Sequence, residues 1–203
     1  MPMNVETYFR QLGETAAQAL GPEYRFHRTT RQLRASAGEG ENVIVLTGLT
    51  KYSPTISVSF YFGRNYTAAK QVERLIGRPH LAYYHAFMWS IHAHRMNGLG
   101  FDGPTEWHVD LRDPGAFDLV PEFVAAIKGV AFPFFERFRS IEAARDALAA
   151  EDSWILYTPS HSLLEVDAAM GDLSHFEEWC GRLPDKARAG ATLELAHVKH
   201  VLS

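Results

Sequence analysis

Apolar side chains recur at three- and four-residue spacing from Val5 through Phe9, Leu12 and Ala16 to Leu20, which predicts an amphipathic helix over 5–20. Gly21-Pro22 ends it, because proline cannot continue a helix and glycine tolerates the cap. Residues 23–34 alternate loosely, with Tyr24 and Phe26 on one side and Arg25, His27, Thr29 and Arg31 on the other. They predict a first strand. The polar, glycine-containing run AGEGEN (37–42) is a turn. NVIVLTGL (42–49) is β-branched and apolar and reads as a central strand. TISVSFYF (55–62) has the clearest period of two: Ile56, Val58, Phe60 and Phe62 face one way, Thr55, Ser57, Ser59 and Tyr61 the other. One face is expected to be buried and the other at least partly wet. TAAKQVERLIG (67–77) predicts a helix with a glycine stop.

Past residue 111 the period changes from two to that of helices. AFDLVPEFVAAIKGVAFPFFERF (116–138) has helical spacing, interrupted at Pro121 and Pro133. SIEAARDALAAE (140–151) is an alanine-rich helix with Ser140 as its N-cap. SLLEVDAAM and LSHFEEWCGRL form two helices joined at Gly171-Asp172. The tail from Lys186 to Leu202 is expected to be helical, with Thr192–Leu195 as a segment that could instead extend as a strand. The expected domain plan is an α+β sheet domain over 1–151 and a C-terminal helical region, 152–203, packed on it.

The segment HAFMWSIHAHR (85–95) carries three histidines. As a strand over 87–94 it sets Phe87, Trp89, Ile91 and Ala93 on one face and Met88, Ser90, His92 and His94 on the other. Residues 106–111 split likewise, into Trp107, Val109 and Leu111 against Glu106, His108 and Asp110. A helix partitions these residues less well. Two antiparallel strands joined by the glycine-rich loop 96–104 are therefore expected. They would gather His92, His94, His108 and Asp110 on the polar face that also holds Ser57, Ser59 and Tyr61. Residues i and i+2 of a strand lie roughly 6.5–7 Å apart, so imidazoles and a carboxylate there could share a zinc or iron ion. The plainer reading is a polar sheet face that happens to use histidine, since His-x-His is a common spacing.

Composition narrows the field. With 203 residues, 46% of them apolar, the chain can bury a core without disulfides or metals. A net charge of −4 argues against a general nucleic-acid binder. The arginine-rich stretch Arg25, His27, Arg28, Arg31 and Arg34 is a local exception. It could meet an acidic partner, joined by Lys51 and Arg64, or simply protect an edge strand. The single cysteine, Cys180, points to a reducing compartment. No apolar run spans a membrane and no signal-peptide core opens the chain. Gly98-Leu99-Gly100 lacks the lysine and hydroxyl residue of a phosphate loop. Ser160-His161-Ser162 lacks the strand–turn–helix setting of a nucleophile.

The succession YRFHRTT, NVIVLTGLTKYSPTISVSFYFG, IHAHRMNGL and EWHVDL, followed by PFFERF and LLEVDAAMGDLSHFEEWCGRL, resembles the bacterial domain-of-unknown-function 4304 family and related immunity-type proteins over residues 5–183. Glu106-Trp107-His108 stands where such domains often show a tryptophan pair. The resemblance implies an α+β domain with an antiparallel sheet and no established catalytic residues. Some immunity-type proteins neutralise a toxin by binding it.

The expectation is thus an α+β fold with a four- or five-stranded, mainly antiparallel sheet. Its core should contain Phe9, Leu12, Val45, Ile56, Val58, Phe60, Trp89, Ile91, Val109, Phe134 and Leu163. Function is expected to be non-enzymatic, cytoplasmic binding of a protein partner, immunity-like in its narrower form, through Ser57, Ser59, Tyr61, His92, His94, His108 and Asp110. That reading needs no cofactor and involves neither nucleic acid nor membrane. The competing expectation is a metal-dependent enzyme with zinc or iron held by His92, His94, His108 and Asp110.

Overall fold

A computed structural model of the chain describes residues 3–52, 54–77, 91–92, 103–104, 106–150 and 160–203. Their order is α1 (Val5–Leu20), β1 (Arg25–His27), a 3₁₀ turn (Arg28–Thr30), β2 (Gln32–Ala37), β3 (Gly40–Tyr52), β4 (Thr55–Tyr66), α2 (Thr67–Leu75), β5 (Ile91–His92), β6 (Glu106–Asp110), α3 (Val120–Arg137), α4 (Ile141–Ala149), α5 (Ser160–Met170), α6 (Ser174–Arg182) and α7 (Asp185–Leu202). The fold is α+β, with an antiparallel sheet and a C-terminal helical region. None of the described helices is long and apolar enough to cross a membrane.

The chain divides into two compact units. One contains α1, β1, β2, β5, β6 and α3, with β3 from Glu41 and β4 through Gly63. The other contains Gly38–Gly40, Arg64–Tyr66, α2 and α4 through α7. This division does not follow the boundary at residue 151: α2 and α4 group with the C-terminal helices.

In the sheet unit, strands β1 to β4 lie in sequence order. Both β5 and β6 pair with β4, so the sheet is five strands wide. Helix α1 starts where Asn4 accepts the Glu6 N–H at 2.8 Å. It ends at Gly21, whose φ of 141° suits glycine. Its buried stripe includes Tyr8, Phe9, Leu12 and Ala16, and it contacts α3 and β1. Tyr8 donates to the Ala116 carbonyl at 3.2 Å and stacks on Phe117. Phe60 meets Phe123 edge-on at 5.5 Å between ring centres, and Phe62 meets Phe134 at 5.2 Å. A side chain at Gly48 would run into the Ser57 carbonyl at 2.5 Å and the Phe9 ring at 2.6 Å, so only glycine fits that close approach.

In the helical unit α2 lies against α5, and α5 contacts α4, α6 and α7. Ser140 caps α4 by accepting the Ala143 N–H at 3.2 Å, and Glu39 accepts the Ile141 N–H at 2.9 Å. Tyr66 donates to the Phe138 carbonyl at 2.6 Å. Phe176 and Trp179 lie 5.4 Å apart, and Cys180 is buried beside them on α6.

Of the expected core, Phe9, Leu12, Val45, Ile56, Val58, Phe60, Val109, Phe134 and Leu163 are buried. Trp89 and the side chain of Ile91 lie outside the described residues. Three local expectations are corrected. Residues 23–34 are not one strand, because the 3₁₀ turn and a left-handed Arg31 (φ 50°, ψ 41°) separate β1 from β2. Helix α3 is not interrupted: Pro121 sits in its first turn, where no N–H partner is needed, and Pro133 is carried inside a helix whose neighbouring Phe134 and Phe135 are buried. The C-terminal tail is helical as expected, Thr192–Leu195 included, within α7. Finally, β5 and β6 do not pair with one another in the described registers; each runs antiparallel to β4.

Candidate functional site

The alternation read from the sequence is realised on β4. Ile56, Val58, Phe60 and Phe62 are fully buried, while Thr55, Ser57, Ser59 and Tyr61 are half-buried. Strand β6 repeats the pattern, with Trp107 and Val109 buried, Glu106 and His108 exposed and Asp110 between. The Trp107 indole N–H reaches Glu122 of α3 at 3.1 Å, fixing the apolar side of β6.

Register decides which polar groups meet. Thr55 lies opposite Asp110, Ser57 opposite His108 and Ser59 opposite Glu106. Further along the same strand, Tyr61 lies opposite His92. Directly opposed residues of an antiparallel pair share a face, so Ser57, Ser59, His108 and Asp110 come together as expected. Because β3 takes one edge of β4, β5 and β6 succeed one another along the other. His92 and His108 are therefore offset by four residues of β4, about 13 Å at the usual rise. His94 lies outside the described residues.

Two members of this face escape a reading by residue type. Glu106 accepts a hydrogen bond from the Ser57 hydroxyl across the strand pair. Arg112 grips Asp110: its Nε and Nη2 donate to the carboxylate at 2.9 and 2.6 Å, and its backbone N–H donates to Oδ1 at 2.9 Å. These bonds hold the Asp110 carboxyl well below its ordinary range, at about 2. The signal was an aspartate followed two residues later by a donor at a strand end, an Asx-type turn. Among the described residues no cluster of three or more metal-ligating side chains forms. A zinc or iron ion at Asp110 would have to displace the Arg112 guanidinium.

The grip predicts a titration. Arg112→Ala should move the Asp110 pKa upward, toward the ordinary value of about 3.9; carboxyl-detected NMR across pH 1.5–6 (about two units either side) would show it. The sign follows from the depressed folded value. Whatever this pair adds to stability is present above the unfolded pKa and is lost as pH falls toward about 2. An unmoved Asp110 titration in the variant would contradict the assignment.

The arginine-rich stretch separates. Arg25 is exposed on β1 opposite Arg34. Arg34 is bound to Gln32 and approaches Glu41 at 3.5 Å. Arg28 and Arg31 turn to acids of α1. Arg64 is buried and belongs to the helical unit; the side chain of Lys51 lies outside the described residues. Comparison with known proteins adds nothing to this geometry: no family model, curated protein or solved structure matches the chain.

Proposed function

We propose that this chain is a binding protein that docks a protein partner on the polar face of β4 and β6. The observation that carries this reading is the alternation over Thr55–Phe62 of β4 and over β6, with buried apolar residues on one side and half-buried to exposed polar residues on the other. A surface of two serines, a tyrosine, a histidine and an acid offers hydrogen bonds in both directions with little side-chain entropy to lose on docking. Tyr61 is the aromatic anchor. Glu106 and the net charge of −4 favour a partner with a basic contact patch, which steers encounter and selects among partners. The resemblance to immunity-type proteins supports a narrower form, in which the partner is a toxin held inactive.

A photo-crosslinking residue at His108, in the full chain expressed in the cells that make it, tests the proposal. A matched probe at exposed Leu193 of α7 is the control. The expected result is one dominant adduct at 108 and none at 193. Glu106→Lys should weaken binding of that partner at least ~tenfold through like-charge repulsion while leaving the melting temperature unchanged. Equal labelling at both probes, or an indifferent Glu106→Lys, would remove the reading. If the captured partner does not inhibit growth when expressed alone, only the toxin-neutralising form falls.

A further inference from the structure

The arginines of the first strand region have no part in the proposed docking face, yet they are held with unusual care. Among the described residues Arg31 is the one non-glycine residue with a positive φ, a conformation that crowds Cβ against the backbone. Its carbonyl accepts the Leu46 N–H at 2.9 Å, its guanidinium lies 4.3 Å above the Phe9 ring, and it pairs with Glu6. Arg28, next to it, gives both Nε and Nη2 to a single oxygen of Glu14, at 3.1 and 2.7 Å.

These two pairs have a consequence for α1. Glu6, Arg10 and Glu14 stand at i, i+4 and i+8, so each glutamate is placed to neutralise Arg10. Both are drawn instead to Arg31 and Arg28. Arg10 makes no hydrogen bond or ion pair with a described residue. The outcome is a recess of about 200 Å³ whose wall includes Arg10, Arg28, Arg31, Glu6, Phe9 and Phe26. The Glu14 carboxylate is bonded to Arg28 as Glu6 is to Arg31, so three guanidinium groups meet two carboxylates and the local charge is +1.

We propose that this recess binds the phosphoryl group of a phosphate monoester. Such a group carries about −1.5 to −2 at pH 7 and three strong acceptor oxygens, enough to take donors from three guanidinium groups at once. A planar carboxylate, with two oxygens in place of three, would span fewer of those donors. Guanidinium presents its donors in a planar fork suited to phosphate oxygens. Arg10 has its whole fork available, and the Nη1 of Arg28 and the Nε and Nη1 of Arg31 remain unused by the two glutamates. The Phe9 ring is covered by Arg31 and the Phe26 ring lies against Gly13. The recess therefore recognises the phosphoryl end of a ligand through its arginines.

Titration of the full ¹⁵N-labelled chain with O-phosphoserine, a phosphoserine peptide and benzoate tests this. Saturable shifts at the amides of residues 6–10 and 26–31, for both phosphorylated probes and not for benzoate, are expected. Arg10→Gln should weaken phosphoserine binding about tenfold or more, the loss of one charge-assisted contact. Arg10 is exposed, so the variant should melt as the parent does. Arg28→Gln, at another lining residue, supplies a second reading. A peptide that binds about tenfold tighter than the free amino acid assigns the site to a phosphorylated protein segment; equal affinity assigns it to a small ester. Absence of saturation, equal binding of benzoate, or unchanged affinity in Arg10→Gln overturns the proposal.

Discussion

Replacing Arg145 with alanine is expected to destabilise the helical unit by about 3–5 kcal/mol, the usual cost of stranding a buried charge. Asp167 of α5 has no exposed side-chain surface. One of its oxygens accepts from Arg145 Nε at 2.6 Å, and the other accepts the Phe176 N–H at 2.7 Å, capping the first turn of α6. The same arginine continues through Nη2 to the Asp172 carbonyl at 3.1 Å and its carboxylate at 2.6 Å, in the connection between α5 and α6. Three helices are thus joined at one guanidinium. Arg145 also holds the Asp172 carboxyl well below its ordinary range, helped by the Ser174 N–H. Its contribution is therefore full above the ordinary aspartate pKa and is lost on acidification. Arg145→Ala removes the junction and the largest part of the hold on Asp172, leaving the share that comes from Ser174. Urea titration gives the size of the loss, and 5-fluorotryptophan NMR of Trp179, on α6 beside Phe176, localises it. A change below about 1 kcal/mol would place the pair among ordinary surface ion pairs and refute this account.

Phe60→Ala is expected to cost about 3–5 kcal/mol in the sheet unit. Phe60 is fully buried, and its ring faces Phe123, Trp107 and Phe62 at centroid distances of 5.5, 6.5 and 6.2 Å. Aromatic neighbours of this size cannot close over the vacated volume without leaving good rotamers, so a cavity remains. Ser59→Ala, one residue away on the opposite face, should change stability by less than about 0.5 kcal/mol. The fluorinated Trp107 resonance reports both variants from within the same unit. Near-equal effects of the two substitutions would contradict the sidedness of β4.

Periodicity alone was enough to place α1, β4, the polar side of β6 and most of the core, because burial imposes its spacing directly on the side chains. It says nothing about which strand pairs with which. That is why the 87–94 and 106–111 segments looked like partners of each other, whereas β5 (Ile91–His92) and β6 each pair with β4. The break between β1 and β2 depends on Arg31 in a left-handed conformation that its residue type does not announce. Asp167 looks like any acid on a helix; only the distant Arg145 makes it a buried junction. The same limit hid the recess beside Arg10, which exists because contacts across elements override pairing along α1.

Dividing β4 and β6 into two sides has a lasting consequence for how such a chain can change. Ser57, Ser59, Glu106 and His108 contribute nothing to the aromatic interior, so exchanges there should cost within about ±0.5 kcal/mol of stability. A lineage can therefore rewrite what this surface recognises a few residues at a time, inheriting the scaffold intact at every step.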